Sequence, residues 1–222
     1  QFKLLIPFFS LLFSLFSLPA FAYSENWQID RFHSELTVEG NGNIYITETI
    51  DADFTNEAHR GLERQIPYDY IGGYNTQLKF LGAYDNWSTE TFHDNGYFIL
   101  QMTTADYSEI QGPTSFTYRY LLENAILDQE DFQEIYWNIN GTEWPVKTTS
   151  ASSEITLNIK NLPPNLETIC FTGDYGSEDQ NCSITQQDNK ITVTTTKPLD
   201  EYQGLTIGIK LPAGTIEMPT LL

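Results

Sequence analysis

The chain has 222 residues, 40% of them apolar and 18% charged, with 14 Phe, 13 Tyr and 4 Trp. That is enough large side chains to fill a core, and it excludes a disordered chain. Thirty acids against 11 cations leave a formal charge of −19, which argues against a basic face for nucleic acid or an anionic bilayer.

The first segment reads as an address. Lys3 is followed by an apolar run from Leu4 to Leu18 and then Pro19-Ala20-Phe21-Ala22, the order a signal peptidase reads. Cleavage is expected after Ala22, giving a signal peptide over 1–22. The run is about 15 residues, short of the roughly 20 that a spanning helix needs. Cleavage removes one cation and no acid, so the exported part has a formal charge of −20.

Beyond the leader, period-two alternation dominates. Leu36 and Val38, the turn Gly40-Asn41-Gly42, and then Ile44, Ile46 and Ile50 on the same parity predict a β-hairpin. The same alternation recurs in Phe98-Leu100-Met102, Phe116-Tyr118-Tyr120-Leu122, Ile155-Leu157-Ile159, Ile191-Val193 and Leu205-Ile207-Ile209-Leu211. Short alternating strands bounded by Gly, Pro, Asn or Asp predict an all-β protein, an antiparallel β-sandwich. Asn124 to Phe132 is the one plausible helical stretch, and reads equally as a loop with one turn of helix. The small-residue stretch Lys147 to Ser153 is taken as a junction between two sandwich-like halves, 23–146 and 147–222. Cys170 and Cys182 have only each other in an oxidising compartment, with Gly173 and Gly176 between them, so a disulfide is expected.

Two dense features are candidates for binding. In His59-Arg60-Gly61-Leu62-Glu63-Arg64-Gln65-Ile66-Pro67-Tyr68, Arg60 and Arg64 have the planar fork that clamps a carboxylate or phosphate. The competing role for each is an ion pair with one of the many acids. In Glu134 to Pro145, Tyr136, Trp137 and Trp144 with Asn138 and Glu143 could line a carbohydrate or peptide groove. The competing role there is a strand, an Asn-Gly turn and a second strand, with both Trp rings in the core. A hydrolase using Glu134 and Glu143 beside Trp137 and Trp144 is a low-specificity alternative in so acidic a chain. Asp51-Ala52-Asp53 and Asp128 to Asp131 offer oxygen ligands without a recognised calcium spacing. No metal or cofactor is expected. Asn86, Asn140 and Asn181 start Asn-x-Ser/Thr triplets that matter only in a glycosylating host.

Gly61-Leu62-Glu63-Arg64-Gln65-Ile66-Pro67 resembles the G-[IL]-x-R-x-I-P element of the YciQ-like predicted membrane proteins (domain of unknown function twenty-two-oh-seven). Glu134 to Trp144 resembles their E-x-Y-W-N-x-x-G-x-E-W element. The hairpin Val38 to Ile50 and the segment Cys170 to Cys182 fit the same pattern in the same order. The resemblance implies an extracytoplasmic all-β domain followed by transmembrane helices, with a spanning segment expected beyond Leu222. It carries over no catalytic residue. The expected function is therefore a noncatalytic ectodomain of a membrane-anchored envelope protein, periplasmic or at the cell surface, that senses or binds an envelope partner or ligand. A structural spacer or assembly module is the remaining alternative.

Overall fold

The computed structural model describes residues 25–68 and 76–217. The expected signal peptide and the expected anchor beyond Leu222 lie outside the described residues. Fourteen strands run in chain order, and no helix occurs among the described residues.

A seven-stranded sheet forms the larger layer, in the order β12 (Cys182–Gln187), β13 (Lys190–Thr195), β10 (Ala151–Asn158), β1 (Gln28–Glu39), β2 (Ile44–Asp53), β7 (Pro113–Glu123) and β4 (Gln77–Ala83). A four-stranded sheet has the order β11 (Glu167–Gly173), β14 (Gly204–Pro212), β9 (Phe132–Asn138) and β8 (Ile126–Asp128). A three-stranded sheet has β3 (Gly61–Pro67), β6 (Tyr97–Thr103) and β5 (Ser88–Asp94), with β6 in the middle.

The β1–β2 hairpin forms as its alternation predicts, with Val38 opposite Ile44 and Leu36 opposite Ile46. Its turn closes through Glu39 N–H to Asn43 O at 2.9 Å and Gly42 N–H to Glu39 O at 2.9 Å. Gly42 takes a positive φ of 83° there, a conformation that costs glycine little. Phe32, Leu36, Val38, Ile44, Ile46 and Ile50 all turn inward and are buried. They join Leu62, Leu100, Met102, Ile135, Ile207 and Ile209 in one core shared by the three sheets.

Two expectations are corrected. The 146/147 junction does not separate two sandwich-like halves. β10 pairs with β1 in parallel, and β14 lies between β11 and β9, so both large sheets mix strands from either side of the junction. Thr148 to Ser150 carry small polar side chains because the chain there runs beside Ile29 and Leu199, bonded to both through its backbone. The Asn124 to Phe132 stretch holds no helical turn: Asn124 takes a positive φ, and Ile126–Asp128 adds to β9 as the short strand β8.

Candidate functional site

The inward face of β2 reads Ile44, Ile46, Glu48, Ile50, Ala52, and all five are buried. The parity of the strand therefore carries one carboxylate into the core. It meets Arg64, which the same alternation on β3 places between buried Leu62 and Ile66. Arg64 Nε donates to Glu48 Oε2 at 3.0 Å and Nη2 donates to Glu48 Oε1 at 3.2 Å. The side chains are 1% and 0% exposed. Tyr118 and Tyr120 on β7 donate their hydroxyls to the two Glu48 oxygens. The remaining guanidinium donors reach Gln65 O at 2.8 Å and Ile139 O at 3.4 Å. The rings of Phe32 and Trp144 lie 5.4 and 5.8 Å from the guanidinium carbon.

Burial alone would favour the neutral guanidine. The Glu48 carboxylate more than offsets that, and the Arg64 pKa rises above its ordinary value. Burial, and then the same carboxylate, push the phenols of Tyr118 and Tyr120 well above theirs. The cluster is thus a charged pair whose carboxylate also accepts from two neutral phenols. It joins the three sheets: β3 through Arg64, β2 and β7 through Glu48 and the tyrosines, and the segment after β9 through Ile139 and Trp144.

The two dense sequence features meet here. A Cβ on Gly141 would fall 2.5 Å from Arg64 Nη1, and Gly141 has a φ of +78°. A Cβ on Gly61 would fall 1.9 Å from Met102 O, so the first position of β3 takes glycine because β6 passes too close. Asn138 Oδ1 accepts from Gly141 N–H at 3.0 Å. Asn140 Oδ1 accepts from Leu205 N–H at 2.7 Å while its Nδ2 donates to Gln203 O at 3.1 Å. Trp144 Nε1 donates to Asn140 O at 2.7 Å. The loop after β9 is fixed at each of these points.

Directly outside the cluster lies a groove of about 490 Å³, within the size range of ligand sites. Arg60 to Gln65 line one side and Glu143, Trp144 and Pro145 contribute the other. Glu25, Trp27 and His59 stand at the Gly61 end. Glu143 stands toward the Pro67 end, where its Oε1 accepts from the Tyr97 hydroxyl at 2.9 Å; Tyr97 pairs with Pro67. That bond, then burial, raises the Tyr97 pKa.

A family model described as the N-terminal domain of a predicted membrane protein (DUF2207) matches residues 28–211. The chain belongs to this family. The match takes in every residue of the cluster and the whole groove lining except Glu25 and Trp27. No curated protein matches this chain. Among solved structures, it is similar to yeast leukotriene A4 hydrolase in complex with bestatin, at 11% identity and a TM-score of 0.49, over 82% of this chain and 28% of that one. It is also similar to the M1 zinc metallopeptidase from Deinococcus radiodurans, at 11% identity and a TM-score of 0.42, over 82% and 42%. The chain spans less than half the length of either, and so loose a likeness carries neither activity nor substrate across. No helix among the described residues is long and apolar enough to cross a membrane.

The residues expected to bind divide in two. Arg60, Arg64, Glu143 and Trp144 line the groove of the DUF2207 domain. Tyr136, Trp137, Asn138 and Glu134 do not. Arg64 is spent on Glu48, so it shapes the groove without a free fork for an oxyanion. Arg60 is 68% exposed and stands 3.9 Å from Glu109. Trp137 faces inward between Ile135 and Ile139 and is buried, so it offers no stacking platform. Trp144 is in a loop and not on a second strand, and its ring is buried as well. Tyr136 is exposed on the outer face of β9, where burial of its flank and the Glu134 charge raise its pKa.

Glu48 was not among the expected site residues. Its signal was a charged residue on the apolar parity between Ile46 and Ile50. Among the described residues, Glu25, Glu57 and His59 are the set that could hold a divalent ion, with ligand atoms within 4.8 Å of one another. His59 Nε2 stands 4.0 and 3.9 Å from the two carboxylates, and its ring is stacked on Phe54. Asp51 is instead paired with Arg31 at 2.8 Å, and the Asp53 carboxylate accepts from Thr55, which holds its pKa low. Cys170 and Cys182 form the expected disulfide.

Proposed function

We propose that this chain is a noncatalytic recognition domain on the extracytoplasmic side of a membrane-anchored protein, and that the groove along β3 receives its partner. The observation that carries the reading is the groove itself: its floor is the Arg64–Glu48 cluster, held by both sequence elements the family match covers. A floor so fully bonded is preorganised, which lowers the cost of ordering the site on binding. The rim is polar, with Glu63, Gln65, Gln101 and Glu143 presenting carboxylates and amides. A hydrolytic reading is weaker because its two carboxylates are not brought together: Glu143 lines the groove, whereas Glu134 sits on β9 opposite Lys210. The apolar run Leu4 to Leu18 followed by Pro19-Ala20-Phe21-Ala22, a signal-peptide pattern, supports the extracytoplasmic side in this reading.

The test is selection of peptides from a display library against the exported domain, followed by affinity measurement on groove variants. Selected ligands should weaken at least about tenfold with Glu63→Arg or Glu143→Arg and be unaffected by Glu178→Arg, which lies on the disulfide loop. Ligands indifferent to both groove substitutions would overturn the assignment.

A further inference from the structure

β3 is an edge strand: β6 is its one strand neighbour among the described residues. Strand parity decides which backbone groups are free. Thr104 N–H donates to Arg60 O, and Tyr68 N–H donates to Gly96 O, so the even-numbered positions turn their backbone toward β6. Gly61, Glu63 and Gln65 therefore turn theirs outward. Among the described residues, Gln65 O is the one of these groups with a partner, the Arg64 guanidinium. The outward edge is bounded on one side by the two-way backbone bridge of His59 and Ile110, at 3.0 and 2.6 Å. On the other side it is bounded by Pro67, which has no N–H to offer. What remains open is a window from Gly61 to Gln65.

The groove wraps this edge. Leu62 and Arg64, which face the core, and Glu63 and Gln65, which face solvent, all line it, and consecutive residues can do so only if the backbone edge points into the space. Its charge is one-sided. Glu25 stands at the Gly61 end, Glu63 midway and Glu143 toward Pro67. Glu48 neutralises Arg64 from within, and the head of Arg60 is solvated and turned to Glu109. The Glu63 carboxylate is held in place by the Gln65 and Gln101 amides, at 2.9 and 2.8 Å.

We propose that the groove takes an extended, lysine- or arginine-bearing segment of a partner polypeptide, which pairs with the open window of β3 as an added strand. This rests on the recognition reading above and names its ligand class. Main-chain bonds to the Gly61, Glu63 and Gln65 edge hold the segment, and the three carboxylates select cationic side chains along it. The Pro67 and His59 boundaries limit pairing to a short stretch, so the edge is open to a docked segment without being a template for long sheet growth.

The probe is a synthetic seven-residue peptide of alternating Lys and Val, labelled for fluorescence anisotropy at low salt. Two further peptides carry backbone N-methyl groups, one on the Lys positions and one on the Val positions. N-methylation of one parity should weaken binding about tenfold or more, and methylation of the other should change it little, since only one parity bonds to β3. Replacing Lys by Glu should abolish binding, and raising the salt should weaken it. Gln65→Pro removes one outward N–H together with the amide that bonds Glu63 Oε1, and it should weaken binding several-fold with the fold retained by thermal melt, whereas Gln65→Ala, which removes that amide and keeps the N–H, should weaken it less. The methylated peptides give the same test on the unaltered chain.

Binding equally sensitive or insensitive to both methylation patterns would overturn strand addition. If the display-selected ligands still responded to Glu63→Arg, groove recognition would stand. No binding at about millimolar peptide, or tighter binding of the Glu peptide, would overturn the ligand class. A concentration-dependent dimer abolished by Gln65→Pro would assign the edge to a second copy of this chain and overturn the proposal.

Discussion

Removing both members of the Glu48–Arg64 pair should cost far less than the two single removals added together. Glu48→Gln keeps the shape of the side chain and one acceptor for the tyrosine hydroxyls, but it leaves a buried guanidinium with no counter-charge. Arg64→Met keeps the volume and leaves a buried carboxylate with only the two phenols as donors. Both groups are wholly enclosed, and the contact is two-pronged, at 3.0 and 3.2 Å. Breaking such a pair from one side costs about 3–5 kcal/mol. That is a large part of the roughly 5–15 kcal/mol that holds a domain folded. The double variant loses the pair and both desolvation penalties together, so its loss should be well below the sum, with a coupling of about 3 kcal/mol. Urea unfolding followed by Trp fluorescence reads this directly, because Trp144 lies against Arg64. With a slope of about 2 kcal/mol per molar, each single variant should lower the midpoint by roughly 2 M, and the double variant by less than the two together. Two additive losses of about 1 kcal/mol or below, as for an exposed pair, would refute the account of the cluster.

Gly141→Ala should lose about 2–4 kcal/mol, from positive-φ strain plus the contact with Arg64. Gly112→Ala, at φ +87° with open space around it, should lose only about 1 kcal/mol; equal losses in urea melts would refute the steric argument. Tyr118 and Tyr120 have folded pKa values raised well above 10, so above about pH 10 the unfolded chain binds fewer protons than the folded one, and stability falls as pH rises. Urea midpoints between pH 9 and 11 should fall less steeply in Tyr118→Phe than in the unaltered chain, and an identical slope would refute the burial of that phenol as the cause.

Much of the fold was legible because alternation is a local signal. Phe116, Tyr118, Tyr120 and Leu122 announce β7, and Leu205 to Leu211 announce β14, since inward positions repeat every two residues along one strand. β5 was not legible: its residues Thr91 to Asp94 are all exposed, so no apolar parity marks it. The interleaving of the sheets was hidden for a different reason. Nothing in Ala151 to Asn158 states that it pairs with residues some 119 positions earlier, because register between distant strands is set by the assembled core. At the site, Arg64 and the Trp-rich segment were visible as dense motifs, but their meeting was not. The role of Arg64 turned on Glu48, which lies in a hairpin read only for its isoleucines. Trp144 turned on a loop that bends back after Asn140 and lays its ring against Arg64.

The parallel pairing of β1 with β10 also sets an order of events. β1 and β2 can close their hairpin as soon as both have been made, since the turn between them is short. The opposite edge of β1 stays bare until Ala151 to Asn158 has been made as well, and the central ladder of the largest sheet closes only then. Contacts of such long sequence separation slow folding and prolong the exposure of unpaired strands. A chain cut short near residue 146 would present an open sheet edge beside an apolar face, the form most prone to pair with the wrong strand.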